Sequence, residues 1–181
     1  MIITRKETKD EIAKQAIELA ERLWKEEMSR IEGGKCVFYT AAALLIFKRR
    51  GVDAAVQAGS MSWPIIRLEE DDGKCNTHFS YMWEGLTPAN VEILLAGRLP
   101  EMHVWIALPG TKSMVDLTTG ELRKHAEKIG LTWSGPDPHK YFWDTHTPPG
   151  VVYTPHRGAI PVAAQLIHSL ITVTRERYGE R

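Results

Sequence analysis

Apolar positions recur at helical spacing in the first stretch of the chain. Ile12, Ala16, Leu19, Leu23 and Ile31 fall on one face, with charges between them, and this predicts a helix from Thr8 to about Ile31. Thr8 with Glu11 three residues later forms a capping box at its start. Gly33 and Gly34 end it. The next segment, CVFYTAAALLIF from Cys36 to Phe47, is almost wholly apolar, followed by Lys48, Arg49, Arg50 and Gly51. That pattern predicts a helix buried on most sides, with cations at its C-terminal end and a glycine stop.

Alternating and β-branched runs then predict strands at Val52–Gly59, Ile65–Glu69, His78–Glu84, Met102–Leu108 and Ser113–Leu117. Thr87 followed by Pro88 opens a helix running to about Leu99. Gly120–Ile129 reads as another. Residues 133–155 mix Pro, Gly, Asp, His and aromatics, and read as an ordered loop forming a wall or lid over a cleft. Pro161–Tyr178 closes the chain as an amphipathic helix, with Leu166, Ile167, Leu170 and Ile171 on one side. The expected architecture is α+β: a central antiparallel sheet packed on the helix that begins at Cys36, with the terminal helices covering an outer face.

Composition narrows the function classes. The 181 residues suit one domain spanning 1–181, and neither a repeat nor a linker divides them. Lys plus Arg equals Asp plus Glu, at 23 each, so there is no overall field for gripping nucleic acid or an anionic membrane. No apolar run approaches the roughly 20 residues of a membrane helix. The first residues alternate charges (Arg5, Lys6, Glu7, Lys9, Asp10, Glu11) where a signal peptide needs an apolar stretch. Two cysteines, Cys36 and Cys75, make no disulfide framework. The expectation is a cytoplasmic protein with reduced thiols, no nucleic-acid or membrane partner, and no metal or cofactor.

Cys36 stands out by position. A thiolate is a nucleophile, and the positive end of a helix favours it. The glycines before it allow a substrate close to the backbone. A helix start also offers free N–H groups to an oxyanion. Taken alone, a cysteine there is more often a small buried hydrophobe.

His103 and Asp116 lie on successive strands. A two-residue turn at Pro109–Gly110 sets them directly opposite on one face of the sheet. A four-residue loop over Pro109–Lys112 makes them diagonal neighbours on one face, and a three-residue loop puts them on opposite faces. An aspartate beside an imidazole fixes its tautomer and stabilises its cation. The plain alternatives are a histidine packed on Trp105 and a strand-end aspartate in a turn. Together, the three residues make a nucleophile, base and orienter.

Three segments, GGKCVFYTAAALLIFKRRGVDAAVQAG, HVWIAL and MVDLTTG, resemble the transglutaminase-like, papain-like superfamily. The likeness is one of pattern over residues 33–120, in the order Cys, His, Asp. It includes an aromatic two residues after the histidine and a threonine two residues after the acid. The resemblance implies a thioacyl-enzyme: Cys36 attacks an amide or ester carbonyl, His103 shuttles the proton and Asp116 holds His103. The expected substrate is a peptide or small amide, including a glutaminyl bond, with hydrolysis favoured over transfer. The GGKC start is also similar to arylamine N-acetyltransferases, and a catalytically silent binding module on the same fold is a further alternative. The stretch between Gly59 and His103 is longer than the family pattern and carries an extra strand, HFSYMWE. The family's second oxyanion donor has Trp24 and Gln15 on the first helix as candidates. Trp105 and His78 are further cleft candidates, and His78 is the rival base.

Other groups invite bland readings. Cys75 and His78 have C-x-x-H spacing without a second pair. Asp137 with His139 and Asp144 with His146 repeat a D-x-H spacing that suits metal ligation, but more often marks turns and caps. His125, His156 and His168 carry no distinguishing signal.

Overall fold

The computed structural model describes residues 8–27, 34–66, 77–96 and 98–178. Among these residues, five α-helices and six strands follow one another as α1 (Lys9–Glu27), α2 (Lys35–Arg49), β1 (Ala55–Pro64), β2 (His78–Tyr81), α3 (Pro88–Leu95), β3 (His103–Leu108), β4 (Ser113–Asp116), α4 (Leu122–Lys128), β5 (Phe142–Asp144), β6 (Val152–Pro155) and α5 (Ala159–Tyr178). The class is α+β, with an antiparallel sheet.

Local chemistry accounts for the helix boundaries. The α1 capping box forms in both directions: Glu11 N–H donates to Thr8 Oγ1 at 3.2 Å, and Thr8 N–H to Glu11 Oε2 at 2.7 Å. Thr87 caps α3 by accepting from Asn90 N–H at 3.2 Å. Helix α2 ends as the cations and glycine predict, with Gly51 at a φ of 64°. The expected continuation of α1 to Ile31, Gly33 of the double glycine, the Arg67–Glu69 part of the second expected strand and Cys75 lie outside the described residues.

The sheet runs β2-β1-β3-β4-β5, and β6 pairs with β1. Strand β1 is the hub. It pairs with β3 through Ala55–Gly59, with β6 through Gly59–Ser62 and with β2 through Met61–Pro64. At Gly59 the strand is flanked by both His103 and Pro155, and a Cβ there would sit 2.1 Å from the Thr154 carbonyl. Only glycine lets β6 come this close.

Alternation along the strands divides the interior into two layers. Val104, Ile106, Leu108 and Val115 join a core with α1, α2 and α5, in which Phe38, Ala41, Ala42, Phe47 and Leu170 are buried. A second core forms from Met61, Trp63, Phe79, Leu122, Trp133 and Val151. Helix α2 is buried along eleven of its residues, as its apolar run predicts.

The sequence reading of residues 133–155 as loop alone is corrected. Two strands lie inside it, β5 against β4 and β6 against β1. Their partners lie far away in sequence, and the prolines and glycines around them mask the alternation. Strand β1 also runs later than expected, from Ala55 to Pro64 rather than Val52 to Gly59, because β2 and β6 supply pairing for its second half.

Candidate active site

The hairpin between β3 and β4 pairs Leu108 with Ser113 and Ile106 with Val115. Its loop is therefore the four-residue one, Pro109–Lys112, closed by Thr111 N–H to the Leu108 carbonyl at 3.2 Å and by Lys112 at a φ of 54°. His103 and Asp116 become diagonal neighbours on one face. His103 Nε2 lies 2.6 Å from Asp116 Oδ2, and each residue is only 1% exposed.

Every lone-pair direction of Asp116 is used. Oδ1 accepts from the Thr118 N–H at 2.8 Å and the Thr118 hydroxyl at 2.7 Å. Oδ2 accepts from the Tyr153 hydroxyl at 2.7 Å as well as facing His103. Burial alone would push this carboxyl up. The charge and hydrogen bond of His103, then the bonds from Thr118 and Tyr153, hold it below its ordinary value.

Burial likewise opposes a charge on His103. The Asp116 carboxylate outweighs it, by charge and by hydrogen bond, with further help from Cys36, so the imidazole holds its proton more tightly than usual. The ring is clamped between aromatics: Tyr81 stacks on it at 5.2 Å between centroids and 14° between planes, and Trp105 at 6.1 Å and 20°. Its second nitrogen, Nδ1, is buried and has no hydrogen-bond partner.

Cys36 is the third residue of the expected set. It is a free, buried cysteine in the first turn of α2. It lines a cavity of about 170 Å³ together with His103, Tyr81, Met102, Thr118 and His125. The N-cap of α2 is Gly34, which brings no side chain to the first-turn N–H groups. A Cβ at Gly34 would stand 3.4 Å from Cys36 Sγ and 3.3 Å from Leu99. Lys35 is engaged by Glu121 at 2.9 Å and Glu21 at 3.6 Å, and Glu21 also accepts from the Tyr39 hydroxyl.

Two side chains in this cavity escaped the sequence reading. The Tyr81 hydroxyl lies 2.9 Å from His125 Nδ1, and both residues face the space that holds Cys36 and His103. Burial, then the charges of Cys36 and Asp116, keep the Tyr81 phenol protonated. Burial and Lys128 keep His125 toward its neutral form. No linear signal marks either residue, since their roles depend on the pairing of β2 with β1 and the packing of α4. The same holds for Tyr153, whereas the D-x-T spacing did mark Thr118.

The remaining candidates sit elsewhere. Gln15 accepts from Arg50 at 2.6 Å, at the C-terminal end of α2 and so at the wrong end of that helix. Trp24 packs edge-on against Phe38 at 5.0 Å, with Lys35 over its ring at 6.0 Å, and does not line the cavity. Trp105 supports the His103 ring. His78 pairs with Pro64 at the far end of β1, its Nδ1 2.9 Å from the Thr77 hydroxyl. Asp137 binds Arg123 at 2.7 Å, and Asp144 accepts from Thr145 N–H at 2.6 Å, so both D-x-H acids serve turns and ion pairs. Among the described residues, no three His, Cys, Asp or Glu side chains group as metal ligands, and no helix is long and apolar enough to cross a membrane.

The 133–155 segment walls a larger cavity of about 680 Å³, lined by residues such as Trp63, Pro136, Phe142 and Val151 and by none of Cys36, His103 and Asp116. Phe142 stacks on Tyr153 at 6.5 Å, linking this wall to the carboxylate.

Comparison of the chain with family models, with curated proteins and with solved structures finds no match.

Proposed function

We propose that the chain is a cysteine-dependent hydrolase or acyl transferase of the transglutaminase-like kind, acting on amide or peptide bonds. The observation that carries this reading is the buried His103–Asp116 pair at 2.6 Å, whose Nδ1 has no hydrogen-bond partner, with His103 lining the same cavity as Cys36. A histidine held through Nε2 has only Nδ1 left to exchange a proton with a thiol.

The chemistry follows from those atoms. In the reactive form the Cys36 proton resides on His103 Nδ1, in keeping with the imidazole's tightened hold on its proton, and Asp116 stabilises that imidazolium. The sulfur attacks the carbonyl carbon, and the carbonyl electron pair moves to oxygen. The pair returns as the C–N bond breaks, and the leaving nitrogen takes the proton from Nδ1. Water, deprotonated by His103, then attacks the thioester and releases the acid and the thiol. The fixed imidazole costs little reorganisation during these transfers.

A second reading has its own observation: the cavity of about 680 Å³ contains none of the three residues, which favours a binding module that keeps the fold without the chemistry. One experiment separates the two. The protein is incubated with a panel of amide and ester activity probes and the labelled residue is mapped. Labelling at Cys36 that disappears in His103→Ala supports the enzyme. Labelling of Cys36 at the same rate with and without His103 supports the binding module.

A further inference from the structure

We propose that Tyr81, backed by His125, is the side-chain donor that stabilises the oxyanion formed when Cys36 is acylated. This rests on Cys36 being the nucleophile. It assigns to β2 and α4 a role that neither Trp24 nor Gln15 has the position to fill.

Three observations converge. Tyr81 is fixed in place, because its ring lies parallel to the His103 imidazole, 5.2 Å away, and its strand is paired to β1 at Met61. Tyr81 and His125 line the same cavity as Cys36, and the Tyr81 hydroxyl lies 2.9 Å from His125 Nδ1. Finally, the obvious cation in that cavity is already committed, since Lys35 is paired with Glu121 and Glu21.

His125 gives the hydroxyl its direction. A neutral imidazole protonated on Nδ1 donates to the phenol oxygen and leaves the Tyr81 O–H free to point at a ligand. The other tautomer accepts the phenol's hydrogen and holds it until a better acceptor arrives. An oxyanion is such an acceptor. The step transfers no proton at Tyr81. As the S–C bond forms, the carbonyl electron pair moves onto oxygen, and the Tyr81 O–H donates a hydrogen bond to that oxygen. As the C–N bond breaks, the pair returns to the carbonyl and the hydrogen bond weakens. The N-terminal turn of α2 supplies the partner donor from the backbone.

Alkylation and acylation distinguish this role, because displacement of iodide from iodoacetamide creates no oxyanion at carbon. The test compares the burst of p-nitrophenol from p-nitrophenyl acetate with the rate of Cys36 carbamidomethylation, in wild type, Tyr81→Phe and His125→Ala. Tyr81→Phe keeps the ring that stacks on His103 and removes only the hydroxyl. Its burst rate is expected to fall on the order of 10²-fold, with alkylation unchanged within about twofold. His125→Ala should fall between that variant and wild type. An unchanged burst in Tyr81→Phe overturns the proposal and leaves Cys36 as nucleophile. An equal loss in both reactions overturns it too, and assigns Tyr81 to positioning His103. Wild type that is not acylated at Cys36 sinks the underlying reading, and the proposal with it.

Discussion

Tyr153 donates to Asp116 Oδ2 at 2.7 Å, the same oxygen that holds His103. The aromatic segment that walls the large cavity is thereby tied to the base of the site. The bond disperses charge on the carboxylate and so weakens its pull on the imidazole proton. Removing it with Tyr153→Phe should move the pH at which His103 releases its proton upward, read from imidazole NMR shifts or from the corresponding limb of the activity profile. Turnover should fall by less than the roughly 10²-fold that losing a general base costs. An unshifted His103 titration would show that the phenol only fills space.

Asp116→Asn tests the orienter more severely. The carboxylate accepts from Thr118 twice and from Tyr153 once while facing His103, and an amide has only one oxygen to share among them. Its NH2 must confront donors on one side. The variant should lose on the order of 1–3 kcal/mol in urea unfolding. It should also lose about 10- to 1,000-fold in turnover, less than the roughly 10⁴ of a serine triad, because a thiol needs less base assistance. Full turnover would reduce Asp116 to a strand-end aspartate.

Much of this site was legible in the chain because its parts are local. The α1 box and the buried α2 run each follow from neighbours in sequence, while the hairpin loop was left open between two, three and four residues until the strand register decided it. The D-x-T spacing even carries its own mechanism, since Thr118 binds Asp116 through both its N–H and its hydroxyl. What escaped is what the sheet assembles from a distance. Tyr81 reaches His103 only because both pair along β1, at Met61 and Gly59. Tyr153 reaches Asp116 only because β6 pairs with β1 too. Gln15 failed as a candidate because helix α1 sets it at Arg50, which no linear spacing reveals.

Stability should depend on pH through the same pair. Folding raises the His103 pKa above its ordinary 6.5, because Asp116 outweighs burial. Its contribution is therefore full below that value and is lost as pH rises through the folded pKa. Folding lowers the Asp116 pKa below 3.8, so its contribution is present above that value and is lost as pH falls through the folded pKa. The unfolding free energy of the wild type, from urea curves, should decline from about pH 6.5 toward about pH 10, by at most about 1.4 kcal/mol per pH unit for one proton. The His103→Gln protein should lack that decline. Parallel curves for the two proteins would remove the pair from the stability of the fold.

Gly34 offers a test of access rather than of proton transfer. Its φ of −60° and ψ of 146° suit any residue, so alanine brings no backbone strain. Reduced chain freedom in the unfolded state and a slightly poorer cap offset each other, and stability should stay within about 1 kcal/mol of wild type. The new methyl, however, would stand 3.4 Å from Cys36 Sγ and 3.3 Å from Leu99, in the space before the thiol. A carbonyl carbon must come within bonding distance of that sulfur with its substituents on either side. Acylation of Cys36 by an amide or ester probe should therefore fall on the order of 10-fold or more in Gly34→Ala, since a misplacement near 1 Å costs roughly 10²-fold. Gly34→Val should fall further. A slim alkylating agent such as iodoacetamide, which needs less room than an acyl group, should be slowed less than the probe. Undiminished acylation in both variants, with the fold intact by circular dichroism, would mean that substrate reaches Cys36 from another side of the cavity, past Tyr81 and Met102.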